Sequence, residues 1–243
     1  MHKSDYLTDI LVFGAHPDDI ELGCAGTLIK HIRNGRSVSL VDLTKGELGT
    51  RGTAEIRLRE AEEARAIIGA SDRLNLAFRD GFFKVDEEHI RKVVEIIRLK
   101  KPAIVLCNAT DDRHPDHGRA ATLIREACFY AGLAKFKTSW EDKAQEVHRT
   151  ENVYHYVQFR YIRPQIIVDI TDTYDEKMKS ILAFVSQFYN PDSKEAETLI
   201  SSRDFMDFVD ARLKEFGRII GTKYAEGFTS VRIPAVDDLL TLK

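Results

Sequence analysis

Cysteine is scarce in this chain of 243 residues. The three cysteines, Cys24, Cys107 and Cys128, are odd in number and widely spaced, so they do not form a disulfide framework. Because cytoplasmic proteins keep their thiols reduced, this pattern predicts a cytoplasmic protein. Residues 1–9 are polar and lack the apolar core of a signal peptide, which favours the same location.

Long apolar runs and basic runs are also missing. The first apolar run, residues 10–15, is far shorter than the ~20 residues that a membrane-spanning helix needs. With 36 Lys and Arg against 39 Asp and Glu, the formal net charge is −3, and no Lys/Arg-rich segment occurs. We therefore expect neither a membrane nor a nucleic-acid partner. No linker, repeat or low-complexity tract divides the chain, which predicts one domain over residues 1–243.

Four strands are predicted in the first half of the chain. Residues 10–13, 37–43 and 103–107 are apolar runs of buried-strand length, and residues 73–78 alternate between polar and apolar. Continuous apolar runs of this length suit a parallel sheet with helices on both faces.

Helical segments separate these strands. Residues 55–68 form a charged amphipathic stretch that ends at Gly69, a residue typical of helix C-termini. Apolar residues spaced i, i+3, i+4 and i+7 from Ile90 to Ile97 form one stripe, and Pro102 ends that helix. The alternation of strand and helix predicts an α/β fold with an open, doubly wound, mostly parallel sheet.

The second half of the chain is less regular. Residues 136–152 are polar and aperiodic and predict a long surface loop, a type of loop that is often functional. Residues 153–161 and 165–170 predict strands. Thr173 and Glu176 match a capping box at the start of a further helix.

Two clusters of His and Asp follow predicted strands. Residues 15–21, Ala-His-Pro-Asp-Asp-Ile-Glu, come directly after the first strand, and residues 108–117 follow the fourth. The carboxyl ends of parallel strands lie at one edge of a sheet, where ligands bind. If the first and fourth strands are neighbours, the two clusters face each other.

The residue types in these clusters suit a catalytic zinc, which takes three protein ligands from His and carboxylate and keeps one open position. His16 and Asp19 are three residues apart across a turn, and His117 could complete the set. Because adjacent side chains diverge, Asp18 is then free to act as a general base. A protonated His114 could stabilise an oxyanion or protonate a leaving amine. The same ligands could also hold iron(II) or cobalt(II).

Simpler interpretations exist for single residues. A lone His or Asp at a helix start is usually a cap, and Asp116 would be the N-cap of a helix that begins at about His117. A metal phosphoesterase would also use such clusters, with two metals and more bridging carboxylates. A nucleotide-binding module is a third alternative, but the G-x-G-x-x-G pattern is absent after the first strand.

Residues 15–21, together with His-Pro-Asp-His at 114–117, resemble the LmbE-like (PIG-L-type) zinc N-deacetylases. The resemblance extends from residue 10 to about residue 131, and weakly to Tyr-Ala-Glu-Gly-Phe at 224–228. It implies a Rossmann-like fold and a hydrolase that removes the acetyl group from N-acetylglucosamine-type conjugates, which are small molecules.

The resemblance also implies roles for individual residues. His16, Asp19 and His117 match the zinc ligands of the family. Asp18 matches its general base, and His114 matches its second catalytic residue.

Residues 44–57 resemble the bacillithiol-biosynthesis branch, whose enzymes deacetylate N-acetylglucosaminyl malate. Arg57 matches a family arginine that contacts substrate, and Arg51 is a second candidate for binding the malate carboxylates. Glu47 and Asp112 are candidates for binding sugar hydroxyls. As a simpler alternative, these residues are surface charges of a helix and of loops.

The match to the family is poor in the second half of the chain. Tyr154, His155, Tyr156 and Arg160 could line the pocket, but an alternating strand face would show the same residues. Near the end of the chain, the apolar residues Leu239, Leu240 and Leu242 could serve an interface, and we expect a homo-oligomer.

Overall fold

The computed structural model describes residues 6–241 of the protein, so Leu242 lies outside the described residues. The strands are β1 (Ile10–Gly14), β2 (Val38–Thr44), β3 (Asp72–Phe78), β4 (Ile104–Cys107), β5 (Ser139–Trp140), β6 (Lys143–Ala144), β7 (Asn152–Tyr156), β8 (Ile166–Asp169) and β9 (Ala225–Ser230). The α-helices are α1 (Asp19–Arg33), α2 (Ala54–Ile68), α3 (Glu87–Lys100), α4 (Pro115–Ala131), α5 (Tyr174–Leu182) and α6 (Arg203–Ile220).

The central sheet has seven strands in the order β3-β2-β1-β4-β7-β9-β8. The first five strands of this order run parallel, and β9 is antiparallel to both of its neighbours. The α/β fold with a mostly parallel sheet is therefore confirmed. In this order β1 lies between β2 and β4, so the first and fourth strands are neighbours. Two clusters that follow neighbouring parallel strands can face each other, as the sequence analysis required.

Helices cover both faces of the sheet because side chains of β1 alternate between them. Leu11 and Phe13 pack with α3 and α4 on one face. Ile10 and Val12 pack with α1 on the other face. On the face that carries α1, α5 packs against α1 and α2, and α6 packs on β8 and β9. Within the described part of the chain, none of these helices has the length and apolarity required to cross a membrane.

The segment predicted as one long loop, residues 136–152, has structure of its own. It contains the β5–β6 hairpin, whose turn places Glu141 and Asp142 at φ +49° and +61°, and its last residue begins β7. Arg98 on α3 anchors it by donating to Phe136 O (2.6 Å) and Thr138 Oγ1 (2.8 Å). None of its residues lines the cavity described below, so the segment does not cover the site.

Two further predictions from the second half were wrong. The strand predicted over 153–161 ends at Tyr156, because the backbone amides of Phe159 and Arg160 turn away to donate to Asp112. Thr173 precedes α5, but its hydroxyl donates to Gly26 O (2.9 Å) and does not cap the helix. The predicted capping box is therefore replaced by a bond between α5 and α1.

Buried ion pairs fix α1 against its surroundings. Arg73 on β3 donates to Glu21 on α1 (2.6 Å) and to Asp42 on β2 (2.7 Å), and all three side chains are at most 4% exposed. Although burial opposes its charge, Asp42 and Glu21 raise the pKa of Arg73 above its usual value. On the other side of α1, Lys177 pairs with Glu226 (2.7 Å), which accepts from the backbone of Gly26 and Thr27 on α1.

We expect Arg73→Met to lower the free energy of unfolding by about 3–5 kcal/mol, because it leaves two buried carboxylates without their cation. The matched control is Arg33→Met, which breaks the exposed Arg33–Glu176 pair and should cost about 1 kcal/mol or less. Urea unfolding followed by circular dichroism measures both. Similar losses in the two variants would contradict this account of the buried network.

Candidate metal centre and active site

The ends of β1 and β4 are joined by side-chain hydrogen bonds. Asn108, just after β4, accepts from Ala15 N (2.9 Å) and donates from Nδ2 to Asp19 (3.1 Å). His16 N donates to Asp19 Oδ2 (2.9 Å), and Asp19 N donates back to His16 O (3.3 Å). This tight turn places the His16 and Asp19 side chains together at the amino end of α1.

Asp18 sits at the most strained point of this turn. Its backbone has φ +112°, a region that non-glycine residues rarely adopt. Such strain costs on the order of 1–3 kcal/mol and collects at functional sites. The conformation directs the buried Asp18 carboxylate toward the cavity, away from the position that a helix cap would take.

Asp19 connects the two sequence clusters directly. Its Oδ1 lies 3.1 Å from His117 Nε2, and its Oδ2 lies 3.4 Å from His16 Nδ1. Gln158 also donates to Asp19 Oδ1 (2.6 Å). Burial opposes ionisation of Asp19, but His117 and His16 hold the pKa of this carboxyl well below its usual value. The first and second clusters therefore form one site.

A second layer of carboxylates orients the imidazoles. His117 Nδ1 lies 2.8 Å from Asp112 Oδ2. His16 Nε2 lies 3.0 Å from Asp80 Oδ1 and 3.3 Å from Asp116 Oδ2. Carboxylate–histidine pairs of this kind fix the ring and its tautomer when the other nitrogen binds a metal.

His114, and not Asp116, is the N-cap of α4. His114 Nδ1 accepts from Asp116 N (3.2 Å), whereas the fully buried Asp116 carboxylate accepts from Gly81 N (2.8 Å) and contacts His16. The prediction of Asp116 as the cap was wrong because the imidazole can accept at the same place. With Nδ1 accepting, the tautomer carries its proton on Nε2. Burial, together with His16 and His117, lowers the pKa of His114.

The donor set fits a metal ion. His16, His114 and His117 each offer a nitrogen, and these atoms lie within 4.8 Å of one another. His16, Asp80 and Asp116 form a second group of the same kind. Asp19 touches His16 and His117, two of the three histidines of the first group. Because His114 Nδ1 accepts from Asp116 N and its Nε2 carries the proton, Asp19 replaces His114 as the third candidate ligand. Imidazole nitrogen with carboxylate oxygen is the donor chemistry of catalytic zinc sites.

The electrostatics of the site favour a cation. Burial alone would lower the pKa of His117, but Asp19 and Asp112 raise it to about 9. The pKa of His16 is raised in the same way by Asp116, Asp19 and Asp80 against the effect of burial. Carboxylates that hold protons on two buried imidazoles would equally stabilise a metal cation there.

A cavity of about 360 Å³ opens onto these residues. Its polar side contains the two clusters and nearby charged residues: His16, Asp18, Asp19, Arg51, Arg57, Asp80, Arg113, His114, His117 and Gln158. Its apolar side comes from the second half of the chain: Phe159, Leu199, Ile200, Phe205, Phe208 and Val209. The cavity is therefore large enough for a small molecule that has both polar and apolar surfaces.

Arg57 lies against Asp18. Its guanidinium donates to Asp18 Oδ2 (3.0 Å), Pro17 O (2.7 Å) and Gly46 O (3.0 Å). Burial raises the pKa of Asp18 to about 7, although the Arg57 cation acts in the opposite direction. Arg57 Nε is buried and has no partner among residues 6–241. Arg57 therefore positions Asp18.

The other three predicted substrate contacts have protein partners. Arg51 lines the cavity, but its guanidinium donates to Ser193 Oγ (2.5 Å) and contacts Glu195. Glu47 is exposed and accepts from Asp80 N (2.9 Å), and Asp112 orients His117. Neither Glu47 nor Asp112 is among the cavity-lining residues.

The four pocket candidates from the second half do not line the cavity either: Tyr154, His155, Tyr156 and Arg160. Tyr156 is fully buried and donates to Phe13 O (3.0 Å). Tyr154, His155 and Tyr156 are strand residues of β7, as the alternative interpretation had it, whereas Arg160 lies beyond β7 and pairs with Asp111.

Sequence reasoning missed three residues of the site. Asp80 lies two residues beyond the end of β3, so the rule about carboxyl ends of parallel strands could have indicated it. Arg113 lies within the second cluster, between Asp112 and His114. It is exposed at the cavity, and its guanidinium stacks on Phe159 at 5.1 Å from the ring centroid. Gln158 carries no motif that would have identified it.

The chain is similar to several known proteins. The model of the family described as PIG-L: GlcNAc-PI de-N-acetylase matches residues 11–128, which include both clusters. A diacetylchitobiose deacetylase of Thermococcus kodakarensis is 29% identical over 236 residues, covering 91% of this chain and 82% of that protein. A conserved protein from Thermus thermophilus is 33% identical, with a TM-score of 0.85 over 96% of this chain and 99% of that one.

A third relative concerns the bacillithiol prediction. The chain is 24% identical over 192 residues to a Bacillus anthracis protein named "Probable N-acetyl-alpha-D-glucosaminyl L-malate deacetylase 2". The match covers 74% of this chain and 81% of that protein. It is more distant than the match to the diacetylchitobiose deacetylase.

We expect His117→Ala to lose bound metal, because it removes a nitrogen from the centre of the site. Asp112→Asn should bind metal about 10–100-fold more weakly, since the His117 ring loses its carboxylate partner. Asp18→Ala should keep metal at the wild-type ratio and serves as the control. Metal analysis after dialysis measures all three. Full metal content in His117→Ala would exclude that residue as a ligand.

Proposed function

Since the chain belongs to the PIG-L family, we propose that it is a metal-dependent hydrolase that removes the N-acetyl group from an N-acetylglucosamine conjugate. The observation that carries this proposal is the position of Asp18. Its buried carboxylate is held by Arg57 beside the site of His16, Asp19 and His117, where all five residues line one cavity. A base next to a Lewis acid is the arrangement that amide hydrolysis needs.

Zinc is the metal that we propose for this site, with His16, Asp19 and His117 as its ligands. When bound, zinc supplies Lewis acidity that polarises an amide carbonyl and lowers the pKa of water to about 7. Asp19 is held in place for this task by Asn108 and Gln158.

Asp18 accepts the proton of the attacking water on its carboxylate. Burial raises its pKa to about 7 in the metal-free protein, and a pKa near neutrality suits a general base. Arg57 keeps the carboxylate aimed at the cavity and favours its ionised form.

His114 lies beside two of the proposed ligands. Its ring centroid lies 4.6 Å from that of His16 and 5.4 Å from that of His117. Because Nδ1 accepts from Asp116 N, the proton of the neutral ring is on Nε2. His114 Nε2 donates a hydrogen bond to the developing oxyanion, and the proton held by Asp18 moves to the leaving amine to give acetate and a free glucosamine.

For the rest of the substrate we propose N-acetylglucosaminyl malate, the intermediate of bacillithiol biosynthesis, in a cytoplasmic protein. Arg113 supports an anionic aglycone, because it is exposed at the cavity and makes no ion pair with any residue from 6 to 241. Arg51 supports this less, since it is bound by Ser193 and Glu195. A neutral disaccharide such as diacetylchitobiose is the competing substrate.

We expect Asp18→Asn to lower turnover about 10²–10⁴-fold with metal retained, because the amide cannot accept the proton. Turnover is measured as the release of acetate from N-acetylglucosaminyl malate by the zinc-loaded protein. Asp175→Asn, an exposed carboxylate of α5, is the matched control and should be fully active. Wild-type turnover in Asp18→Asn would remove that residue from the mechanism.

Arg57→Met should move the acidic limb of the pH–rate profile to higher pH. Activity requires ionised Asp18 and therefore rises as pH increases through its pKa. Removing the cation favours the neutral carboxyl, so this pKa increases. Arg59→Met, an exposed residue on the same helix, is the control and should leave the profile in place. An acidic limb that stays or moves to lower pH in Arg57→Met would contradict this role.

Arg113→Ala distinguishes the two substrates. Losing a charge-assisted hydrogen bond of roughly 1.5–3 kcal/mol should raise KM for N-acetylglucosaminyl malate about 10–100-fold. KM for N,N′-diacetylchitobiose should be unchanged. In the control Arg163→Ala, at an exposed position, the KM values for both substrates should be unchanged. If the wild type prefers diacetylchitobiose and ignores the malate compound, the deacetylase assignment stands and the malate proposal is wrong.

A further inference from the structure

Besides Arg113, a second arginine lies on the apolar side of the catalytic cavity. Arg212 on α6 lines this cavity. Its guanidinium carbon lies 5.2 Å from the centre of the Phe208 ring and 5.7 Å from that of the Phe216 ring, and Nη2 donates to Phe159 O (3.2 Å). Because aromatic faces attract a guanidinium, these contacts hold the cation in one place at the cavity wall.

The positive charge of Arg212 is only partly balanced by the protein. Within residues 6–241 its ion pair is with Glu215, whose carboxylate lies 3.4 Å from Nε. The Glu215 side chain is 51% exposed, whereas that of Arg212 is 10% exposed. Burial lowers the pKa of Arg212 below its usual value, although Glu215 and Asp112 act in the opposite direction. Since water screens an exposed partner, an anion inside the cavity would pair more strongly with this cation.

Hydrogen-bond donors of the Arg212 guanidinium also remain available. An arginine has five N–H groups. Nε faces Glu215, Nη1 donates to Arg160 O (3.4 Å) and Nη2 donates to Phe159 O (3.2 Å). Among the described residues, these contacts leave one N–H of each terminal nitrogen without a partner. Arginine binds a carboxylate through two such N–H groups, one for each oxygen.

Arg212 is separated from the metal site by two residues. The backbone amides of Phe159 and Arg160 donate to Asp112, whose carboxylate contacts the His117 ring. The carbonyls of the same two residues accept from Arg212. The guanidinium therefore lies outside the ring of proposed ligands but on the wall of the cavity that contains them. This is where the part of a substrate beyond its reacting amide would lie.

We propose that Arg212 binds the substrate carboxylate that is farther from the sugar, while Arg113 binds the nearer one. Arg113 directly precedes His114 and is therefore the closer of the two to the reacting amide, whereas Arg212 lies beyond Phe159. A malate aglycone has two carboxylates and so offers one to each cation. This inference rests on the proposed function. It makes Arg212 a specificity-determining residue, because Arg212 contacts the aglycone and not the reacting atoms.

A substrate that lacks one carboxylate tests this assignment. N-acetylglucosaminyl lactate keeps the carboxylate next to the glycosidic bond and lacks the farther one, so its KM for the wild type should be about 10–100-fold higher than that of the malate conjugate.

Arg212→Gln keeps a donor for the Phe159 carbonyl but loses the charge. KM for N-acetylglucosaminyl malate should therefore rise about 10–100-fold, whereas KM for the lactate conjugate and for N,N′-diacetylchitobiose should change by less than about twofold. Metal content should equal that of the wild type. Arg212→Lys restores a positive charge and should recover part of the affinity. Arg218→Met, at an exposed position of the same helix, is the matched control and should leave all three KM values unchanged.

Several outcomes would overturn the role of Arg212. Equal losses for all three substrates, or loss of metal, would mean that Arg212 only holds the backbone of Phe159 and Arg160 in place. An unchanged KM for the malate conjugate in Arg212→Gln would exclude the contact. Equal KM values of the wild type for the malate and lactate conjugates would refute the second carboxylate site and leave the deacetylase assignment standing.

Failure of the proposed function gives a different result, because no conjugate would then release acetate. Calorimetric titration of the wild type and of Arg212→Gln with N-acetylglucosaminyl malate decides the role of Arg212 independently of turnover. Binding that is at least about tenfold weaker in Arg212→Gln supports the contact, and equal binding refutes it.

Discussion

The contact between Asp19 and His117 is the interaction on which the rest of the site depends. It joins a residue at the start of α1 to a residue in the first turn of α4, and so it closes the space between the ends of β1 and β4. Asn108 braces the same junction by bonding to Ala15 and to Asp19. With these two loops held together, His16, Asp18 and His114 line the same cavity. A parallel sheet with β1 next to β4 is what makes the contact geometrically possible.

Burying several charged side chains at this edge of the sheet costs free energy of desolvation. Partners close to each charge offset this cost. Each buried carboxylate near the site has a cation or a backbone amide as partner, as Arg57 is for Asp18 and Gly81 N is for Asp116. Beneath the site, the pairs of Arg73 with Glu21 and of Lys177 with Glu226 hold α1 from two sides. Removing one partner of a buried ion pair destabilises the fold more than removing one partner of a surface pair, because the remaining charge is left desolvated. Stability and site geometry therefore depend on the same helix.

Much of the fold and the centre of the site could be predicted from the sequence. Apolar runs and helix stripes predicted β1 to β4 and the helices between them, and the two clusters indicated where a metal would bind. The rest depends on tertiary contacts that no local pattern encodes. Asp116 was predicted as a cap because Asp usually is one, but His114 takes that place and releases the Asp116 carboxylate to contact His16. Asp80 and Gln158 come from distant segments, and the apolar wall of Phe205 and Phe208 forms only when α6 packs over the cavity.

The most direct test of this account is the position of zinc in crystals of the zinc-loaded protein, located by anomalous scattering. The account predicts one peak at about 2.0–2.2 Å from His16, Asp19 and His117, beside the Asp18 carboxylate. Among the described residues, two groups have metal-binding atoms close together: His16, His114 and His117, and His16, Asp80 and Asp116. The first group surrounds the proposed centre, and the second lies on the other side of His16. A peak at that group, or two peaks bridged by carboxylates, would contradict the proposed centre and the mechanism built on it.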